Sequence, residues 1–156
     1  MRKNVLVGFD ESENAMRAVD FVAAHFTPEH HVTLFSVIPD AAAICSMNSP
    51  GLTPYFLEQR DAFCTLEDKK KEFVAQAMEQ AKEKLLKAGF SERNVVLRTD
   101  TQKKGIARDI LDAASDCDSI VLGRRGLSGI PGFIMGSVSQ KVLHGAGEDT
   151  AVVLVN

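Results

Sequence analysis

Five short apolar runs punctuate this chain, and stretches with the apolar spacing of helices separate them. The runs cover residues 5–9, 31–38, 95–99, 119–122 and 151–155. The first run, residues 5–9, is nearly continuous in apolar residues, which is typical of a strand that is covered on both faces. Strands that alternate with helices favour right-handed β-α-β units and a parallel sheet. The sequence therefore predicts an α/β fold with one open, parallel, five-stranded sheet.

Four stretches carry apolar residues at the spacing of an amphipathic helix. They are the residues that follow Ser12, which is suited to cap a helix start, and residues 67–88, 106–114 and 138–144. Residues 39–66 contain three prolines and a glycine, and they predict a long, less regular connection in which residues 55–64 favour a helix. A connection of this length is typical of a lid, an interaction surface or a mobile loop.

The composition is that of one globular domain without a bias toward nucleic acid. A chain of 156 residues is long enough to bury one core, and no repeat or linker divides it. The net charge is −3, and the basic run Lys69, Lys70 and Lys71 is flanked by acidic residues. Such a run is typical of a solvated helix face. The sequence predicts a single domain over residues 1–156 and no nucleic-acid partner.

The three cysteines, Cys45, Cys64 and Cys117, have neither an even count nor the spacing of zinc ligands. We therefore expect no disulfide framework and no metal site, but buried or incidental thiols in a reducing compartment. The apolar stretch after the basic start ends at Asp10, which is too short for a signal peptide or a membrane span. The sequence predicts a cytoplasmic protein with no membrane segment.

A glycine-rich loop joins the fourth predicted strand to the last predicted helix. Gly123 and Gly126 follow the strand directly, and Gly136 and Ser137 stand at the helix start. Glycine lets the backbone approach a ligand closely, and the free N–H groups and dipole of a helix start attract anions. A P-loop lysine is absent, because Met135 precedes Gly136. The pattern predicts a phosphate site, and a surface loop without chemical consequence is the alternative.

Two charged positions adjoin this loop in the predicted fold. Asp10 ends the first strand and would face Gly123 if strands one and four are neighbours at the point where the strand order reverses. Asp10 is then placed to accept a hydrogen bond from a ribose or a base, and a turn residue is the alternative. Arg124 and Arg125 are candidates for phosphate contact, with solvent or a dimer interface as the alternative.

The loop resembles that of the universal stress protein family. Nucleotide-binding members of that family carry Gly, two residues, Gly, nine residues, Gly, then Ser or Thr, and Gly123, Gly126, Gly136 and Ser137 match this without a gap. The opening segment 5–13, the helix start at 105–110 and residues 137–143 are also similar to the family. The resemblance covers nearly the whole chain apart from residues 39–66.

The resemblance implies a sheet in the order 3-2-1-4-5 with helices on both faces, as in the adenine nucleotide α-hydrolase-like fold. It also implies ATP as the ligand, with or without Mg²⁺, and other adenine nucleotides as alternatives. The positions that match the family's ribose and phosphate contacts are Gly123, Arg124, Gly126, Gly136, Ser137 and Val138. Asp10 matches the acidic residue near adenosine. Val37 matches the residue that meets adenine through its backbone, with Ile38 as the other choice.

Three sequence positions depart from the family's usual pattern. Glu11 stands where glycine is common, Pro131 and Gly132 fall in a loop that is often basic, and Glu148 with Asp149 precedes strand five. The acidic pair would weaken an anion site if it folded nearby.

Three functions fit the sequence. The leading one is an ATP-binding protein that regulates or senses stress, with slow hydrolysis at most, because no P-loop lysine or paired carboxylates are evident. The second is a nucleotide-independent scaffold that dimerises through Ala151–Val155, which ends the sheet in the implied order. The third is a weak ATPase, for which no catalytic residue is identified.

Overall fold

The computed structural model of the chain describes residues 3–10, 12–125 and 135–156. Its five strands are β1 (Asn4–Gly8), β2 (His31–Ile38), β3 (Val95–Thr101), β4 (Ser119–Gly123) and β5 (Ala151–Val155). They form one parallel sheet in the order β3-β2-β1-β4-β5. The predicted α/β class and strand order are confirmed, and no strand end differs from its predicted position by more than two residues.

Helices cover both faces of this sheet, as predicted. The described helices are α1 (Glu13–His25), α2 (Ala42–Cys45), α3 (Pro54–Lys87), α4 (Ile106–Ala113) and α5 (Ser137–Gly145). One apolar cluster joins α1 and α3 to the sheet, and a second joins α4 and α5 to the opposite face. β1 contributes to both, since Val5 and Val7 pack under α1 while Leu6 packs under α4, all at most 1% exposed. Burying each such side chain contributes about 1.5–3 kcal/mol.

Hydroxyl caps begin the two helices of the first face. The Ser12 hydroxyl accepts a hydrogen bond from the Ala15 N–H at 3.1 Å, as the sequence predicts. The Thr53 hydroxyl accepts one from the Phe56 N–H at 3.2 Å, and Pro54 stands in the first turn. A helix start needs no N–H from proline there, so Pro54 begins a helix instead of breaking one.

Because α3 already begins at Pro54, the irregular connection is shorter than the one predicted over residues 39–66. The segment 55–64 is helical and continues without interruption into the helix predicted from residue 67, so α3 is 34 residues long. The irregular part ends at Thr53 and includes the short helix α2.

The cysteine prediction is wrong. Cys45 in α2 and Cys64 in α3 form a disulfide, with a Cα–Cα distance of 5.9 Å. A separation of 19 residues carries no recognisable spacing, and the pair forms because α3 extends back far enough to meet α2. Cys117 is a free, half-buried thiol, and burial together with Asp116 and Asp118 raises its pKa.

The strand order places the functional part of the fold at one edge. β1 and β4 are neighbours, and the chain leaves them toward opposite faces of the sheet, so a crevice opens beyond their carboxyl ends. β3 and β5 are the edge strands. Among the described helices, none is long and apolar enough to cross a membrane.

A carboxylate organises the turn between β3 and α4. Asp109 accepts hydrogen bonds from the N–H groups of Lys103, at 2.8 Å, and Lys104, at 3.0 Å. These backbone donors, led by that of Lys103, lower the pKa of Asp109, although partial desolvation opposes them. Because the folded pKa lies below the ordinary value of 3.8, the carboxylate stabilises the fold above that pH and loses its effect as the pH falls through the lowered pKa.

We expect Asp109→Asn to lower the free energy of unfolding at neutral pH and to flatten its acid dependence. The loss of stability that the wild type suffers below about pH 4 should be smaller in the variant, since asparagine does not titrate. Denaturant unfolding at a series of pH values measures both effects. Parallel pH profiles for the two proteins would contradict this role of Asp109.

Candidate functional site

A cavity of about 370 Å³ opens at the carboxyl edge of the sheet. The ends of β1, β2 and β4, the first turns of α1 and α5, and parts of α3 and α4 form its walls. Ile106, Ile110 and Leu122 make one side apolar. An apolar wall with polar groups on the other sides is typical of a small-molecule site, and the volume is within the usual range.

Gly123 ends β4 at a point where α1 passes unusually close. A Cβ atom at this position would lie 2.7 Å from the Cβ and 2.8 Å from the backbone carbon of Asn14. The Asn14 side chain also donates a hydrogen bond to the Arg125 carbonyl at 2.9 Å. The absence of a side chain at Gly123 therefore lets α1 brace the start of the loop, in addition to exposing backbone to the cavity.

The first turn of α5 forms the side of the cavity next to Gly123. The Gly136 N–H donates to the Arg124 carbonyl at 2.8 Å, and the buried Ser139 hydroxyl donates to the Gly123 carbonyl at 2.8 Å. These bonds hold the helix start against β4. The first N–H groups of a helix have no partner within it, so those of Ser137 and Val138 are available to an anion. Both residues line the cavity.

Asp10 both stabilises a turn and lines the cavity. Its carboxylate accepts a hydrogen bond from the Ser12 N–H at 2.8 Å and thereby shapes the turn before α1. Asp10 also lines the cavity together with Gly123, so the structure brings these two predicted residues into one crevice. One carboxylate oxygen is engaged in the turn, and the other has no hydrogen bond to another residue that the structure describes.

The end of β2 distinguishes Val37 from Ile38. The Phe35 carbonyl accepts from the Phe9 N–H at 2.8 Å, toward β1, while the Ile38 carbonyl accepts from the Gln102 N–H at 2.7 Å, beyond β3. Since successive residues of a strand direct their backbone groups to opposite neighbours, Val37 faces the same side as Phe35. β1 has ended at Gly8, so the backbone of Val37 faces the crevice.

The side chains of Arg124 and Arg125 lie in different places. Arg124 donates from its guanidinium to the Asn156 side chain at 2.7 Å, and its N–H donates to the Val155 carbonyl at 2.7 Å. Its side chain therefore lies along β5, whereas Arg125 lines the cavity. The structure separates Arg124 from the other predicted site residues. Gly126, Glu11, Pro131 and Gly132 lie outside the described residues.

Helix α3 contributes cavity residues that the sequence analysis missed. Glu67, Lys70 and Lys71 all line the cavity. The Glu67 side chain is 6% exposed and accepts an ion-pair hydrogen bond from Lys70 at 2.9 Å. The three lysines of the basic run are exposed, as a solvated helix face predicts, but Lys70 and Lys71 also border the cavity. The three-residue separation of Glu67 from Lys70 is the sequence signal that could have indicated an ion pair on one face of the helix.

The acidic pair Glu148 and Asp149 is remote from the cavity. It precedes β5, and the N–H of Ala151 donates to the carbonyl of Asp118, at the amino end of β4. This places the pair at the opposite edge of the sheet, so it does not weaken an anion site. Among the residues that the structure describes, no group of three or more His, Cys, Asp and Glu is arranged to hold a metal ion.

Fold and cavity together define a doubly wound α/β protein with a small-molecule pocket at its switch point. Residues 1–153 match the sequence model of the Universal stress protein family, and the chain belongs to that family. A universal stress protein from Mycolicibacterium smegmatis is 28% identical in an alignment of 153 residues. The alignment covers 96% of this chain and 47% of that protein. The chain thus spans about half the length of this curated relative.

Solved structures of family members share the fold. Universal stress protein UspA from Lactobacillus plantarum has a TM-score of 0.70 and 24% identity, over 99% of this chain and 97% of that one. A universal stress protein determined in complex with cAMP has a TM-score of 0.61 and 21% identity, with coverages of 99% and 97%.

We expect Gly123→Ala to lower the free energy of unfolding by about 1–3 kcal/mol, because the added methyl group would collide with the backbone of Asn14. Denaturant unfolding provides the measurement. Gly51→Ala is the matched control, since a Cβ there meets no atom within 4 Å. Equal stabilities of the two variants would show that α1 does not depend on a glycine at this position.

Proposed function

We propose that this chain binds ATP in the cavity between β1 and β4 and acts as a regulatory or sensing protein in the stress response. The observation that carries this proposal is the meeting of three features in one crevice. They are the N–H groups at the start of α5, which have no partner within the helix, the glycine end of β4 and the inward-facing backbone of Val37. Each suits a different part of a nucleotide.

In this proposal, the adenine ring lies between the apolar side of the cavity and the backbone of Val37, which offers both a donor and an acceptor. Asp10 accepts a hydrogen bond from the ribose or the adenine amino group. Gly123 and Gly136 keep the backbone close to the ribose and phosphates, and the N–H groups of Ser137 and Val138 bind phosphate oxygens. Gly126 belongs to the proposed phosphate site by its sequence spacing alone. We assign Arg125 to the phosphates in place of Arg124, whose side chain bonds to Asn156.

Two further considerations support a nucleotide ligand. The family member described in complex with cAMP carries an adenine nucleotide on the same fold. The sequence lacks a P-loop lysine, which favours holding ATP over rapid turnover. Other adenine nucleotides and a bound Mg²⁺ are compatible with the same groups, and we keep slow hydrolysis as a secondary possibility. The cytoplasmic location predicted from the sequence belongs to this proposal.

Calorimetric titration with ATP, together with mass spectrometry of the nucleotide extracted from the purified protein, tests the proposal. Ser137→Ala removes a hydroxyl at the phosphate end, and we expect it to raise the dissociation constant roughly tenfold. Ser115→Ala makes the same change at an exposed serine beyond α4 and should bind as the wild type does. A wild-type protein without measurable affinity for any adenine nucleotide would overturn the proposal.

A second role, dimerisation through β5, is favoured by one observation. β5 is an edge strand with the apolar sequence Val152 to Val155, and its outer backbone groups face away from β4. Such an edge invites pairing with another strand, and a two-fold axis would pair it with a second copy.

The dimer proposal predicts that Val152→Pro shifts the protein from dimer to monomer. Ala151 directs its N–H toward Asp118, so that of Val152 points outward, and proline removes this donor without breaking the ladder to β4. Sedimentation analysis measures the mass in solution. A wild-type protein that is monomeric at every concentration tested would exclude the dimer.

A further inference from the structure

The two helical turns of α3 from Cys64 to Lys71, together called here the anchored turn, lie between two cavities. Glu67 and Lys71 line the proposed nucleotide cavity. The same two residues line a smaller cavity of about 180 Å³, which also contacts Cys45 and Cys64. The disulfide thus lies on the far side of the residues that form the wall of the nucleotide cavity.

The charged groups of the anchored turn suit an anionic, hydrogen-bonding ligand. Lys70 is paired with the buried carboxylate of Glu67 at 2.9 Å, which holds both side chains at the wall. Lys71 has no ion-pair partner in the described part of the chain, although it faces both cavities. An unpaired ammonium group beside a pocket is free to donate to a ligand oxygen or ring nitrogen.

The continuous helix α3 and the buried side chain of Glu67 hold the end of this turn, and the disulfide is the main contact at its start. From residue 40 to residue 66, all of which the structure describes, only Ala41 is buried. Helix α2 buries none of its residues, and the apolar contacts of α3 with the core begin at Val74. The remaining described tie across the segment is a hydrogen bond from the Arg60 guanidinium to the Met47 carbonyl. A segment with so few buried contacts opens at low free-energy cost once its crosslink is broken.

We propose that the anchored turn is a ligand-binding element of the nucleotide cavity, and that the Cys45–Cys64 disulfide holds it there, so that reduction weakens nucleotide binding. This inference rests on the proposed function. The reductant is a dithiol: its thiolate attacks one sulfur of the disulfide, and its second thiol closes a disulfide and releases the protein. Two electrons and two protons pass to Cys45 and Cys64, which become thiols, and the dithiol is oxidised.

The position of the disulfide permits this exchange. Cys45 and Cys64 are both half-buried residues rather than enclosed ones, as exchange with a thiolate from solvent requires. Disulfides in reducing compartments are usually transient and serve catalysis or redox sensing. A disulfide next to a ligand wall, in a protein for which the sequence predicts a cytoplasmic location, therefore fits a redox sensor better than a permanent crosslink.

The test compares the ATP affinity of the oxidised full-length chain with that of the same protein reduced by dithiothreitol, both measured by calorimetry. We expect the dissociation constant to rise about tenfold on reduction, through loss of the charged contacts from the anchored turn. Cys64→Ser should bind as the reduced protein does under both conditions. Cys117→Ser, which removes the thiol outside the disulfide, should keep the full response to reduction.

Lys71→Gln distinguishes a binding element from a merely structural crosslink. In the oxidised protein we expect it to weaken ATP binding to the level of the reduced wild type, and reduction should then cause little further loss. Lys69→Gln is the matched control, because Lys69 belongs to the same basic run but does not line the cavity.

The outcomes separate the two proposals. Equal ATP affinity in oxidised and reduced protein would overturn the redox inference and leave the proposed function intact. A redox response that persists in full in Lys71→Gln would overturn the role of the anchored turn as a binding element. Absence of nucleotide binding in both states would overturn the proposed function and this inference with it.

Discussion

The parallel pairing of β1 with β4 is the constraint on which the rest of the structure depends. Its register runs from Val5 opposite Ser119 to Gly8 opposite Leu122, and the apolar side chains in both strands are almost fully buried. The two strands end side by side, and their chains leave toward opposite faces, so the sheet opens a crevice there. A shift of β1 by one residue would exchange the side chains that pack against α1 and α4, so close packing on both faces opposes it. The cavity is a consequence of that packing.

Much of this fold follows from the sequence because the buried parts of the chain have the clearest patterns. The runs rich in apolar residues predict the bounds of β2 and β5, and the residue type of Ser12 predicts its cap. The sequence does not predict the full length of α3. Proline is typical of loops, but Pro54 stands in the first turn of this helix, where proline is also favoured. The disulfide is missing from the sequence prediction for the same reason. Neither Cys45 nor Cys64 carries a local signal, and their contact depends on the length of α3.

The candidate site also has features that the sequence predicts and features that it does not. The spacing of Gly123, Gly136 and Ser137 is a property of the sequence, and the structure brings these residues together with Asp10. The choice between Val37 and Ile38, and between Arg124 and Arg125, depends on which way a backbone or side chain points. That direction is fixed by neighbouring strands and cannot be read from one segment. The wall formed by α3 was missed since it comes from a distant part of the chain that carries no motif.

Titration of the ¹⁵N-labelled protein with ATP, followed by the backbone amide resonances, tests the central claim most directly. Binding in the crevice between β1 and β4 should shift the amide signals of Val37, Gly123 and Val138 in a saturable way. The amides of Glu148 and Asp149, at the opposite edge of the sheet, should stay unchanged. Unaltered spectra at saturating ATP, or shifts gathered at the opposite edge, would contradict the account.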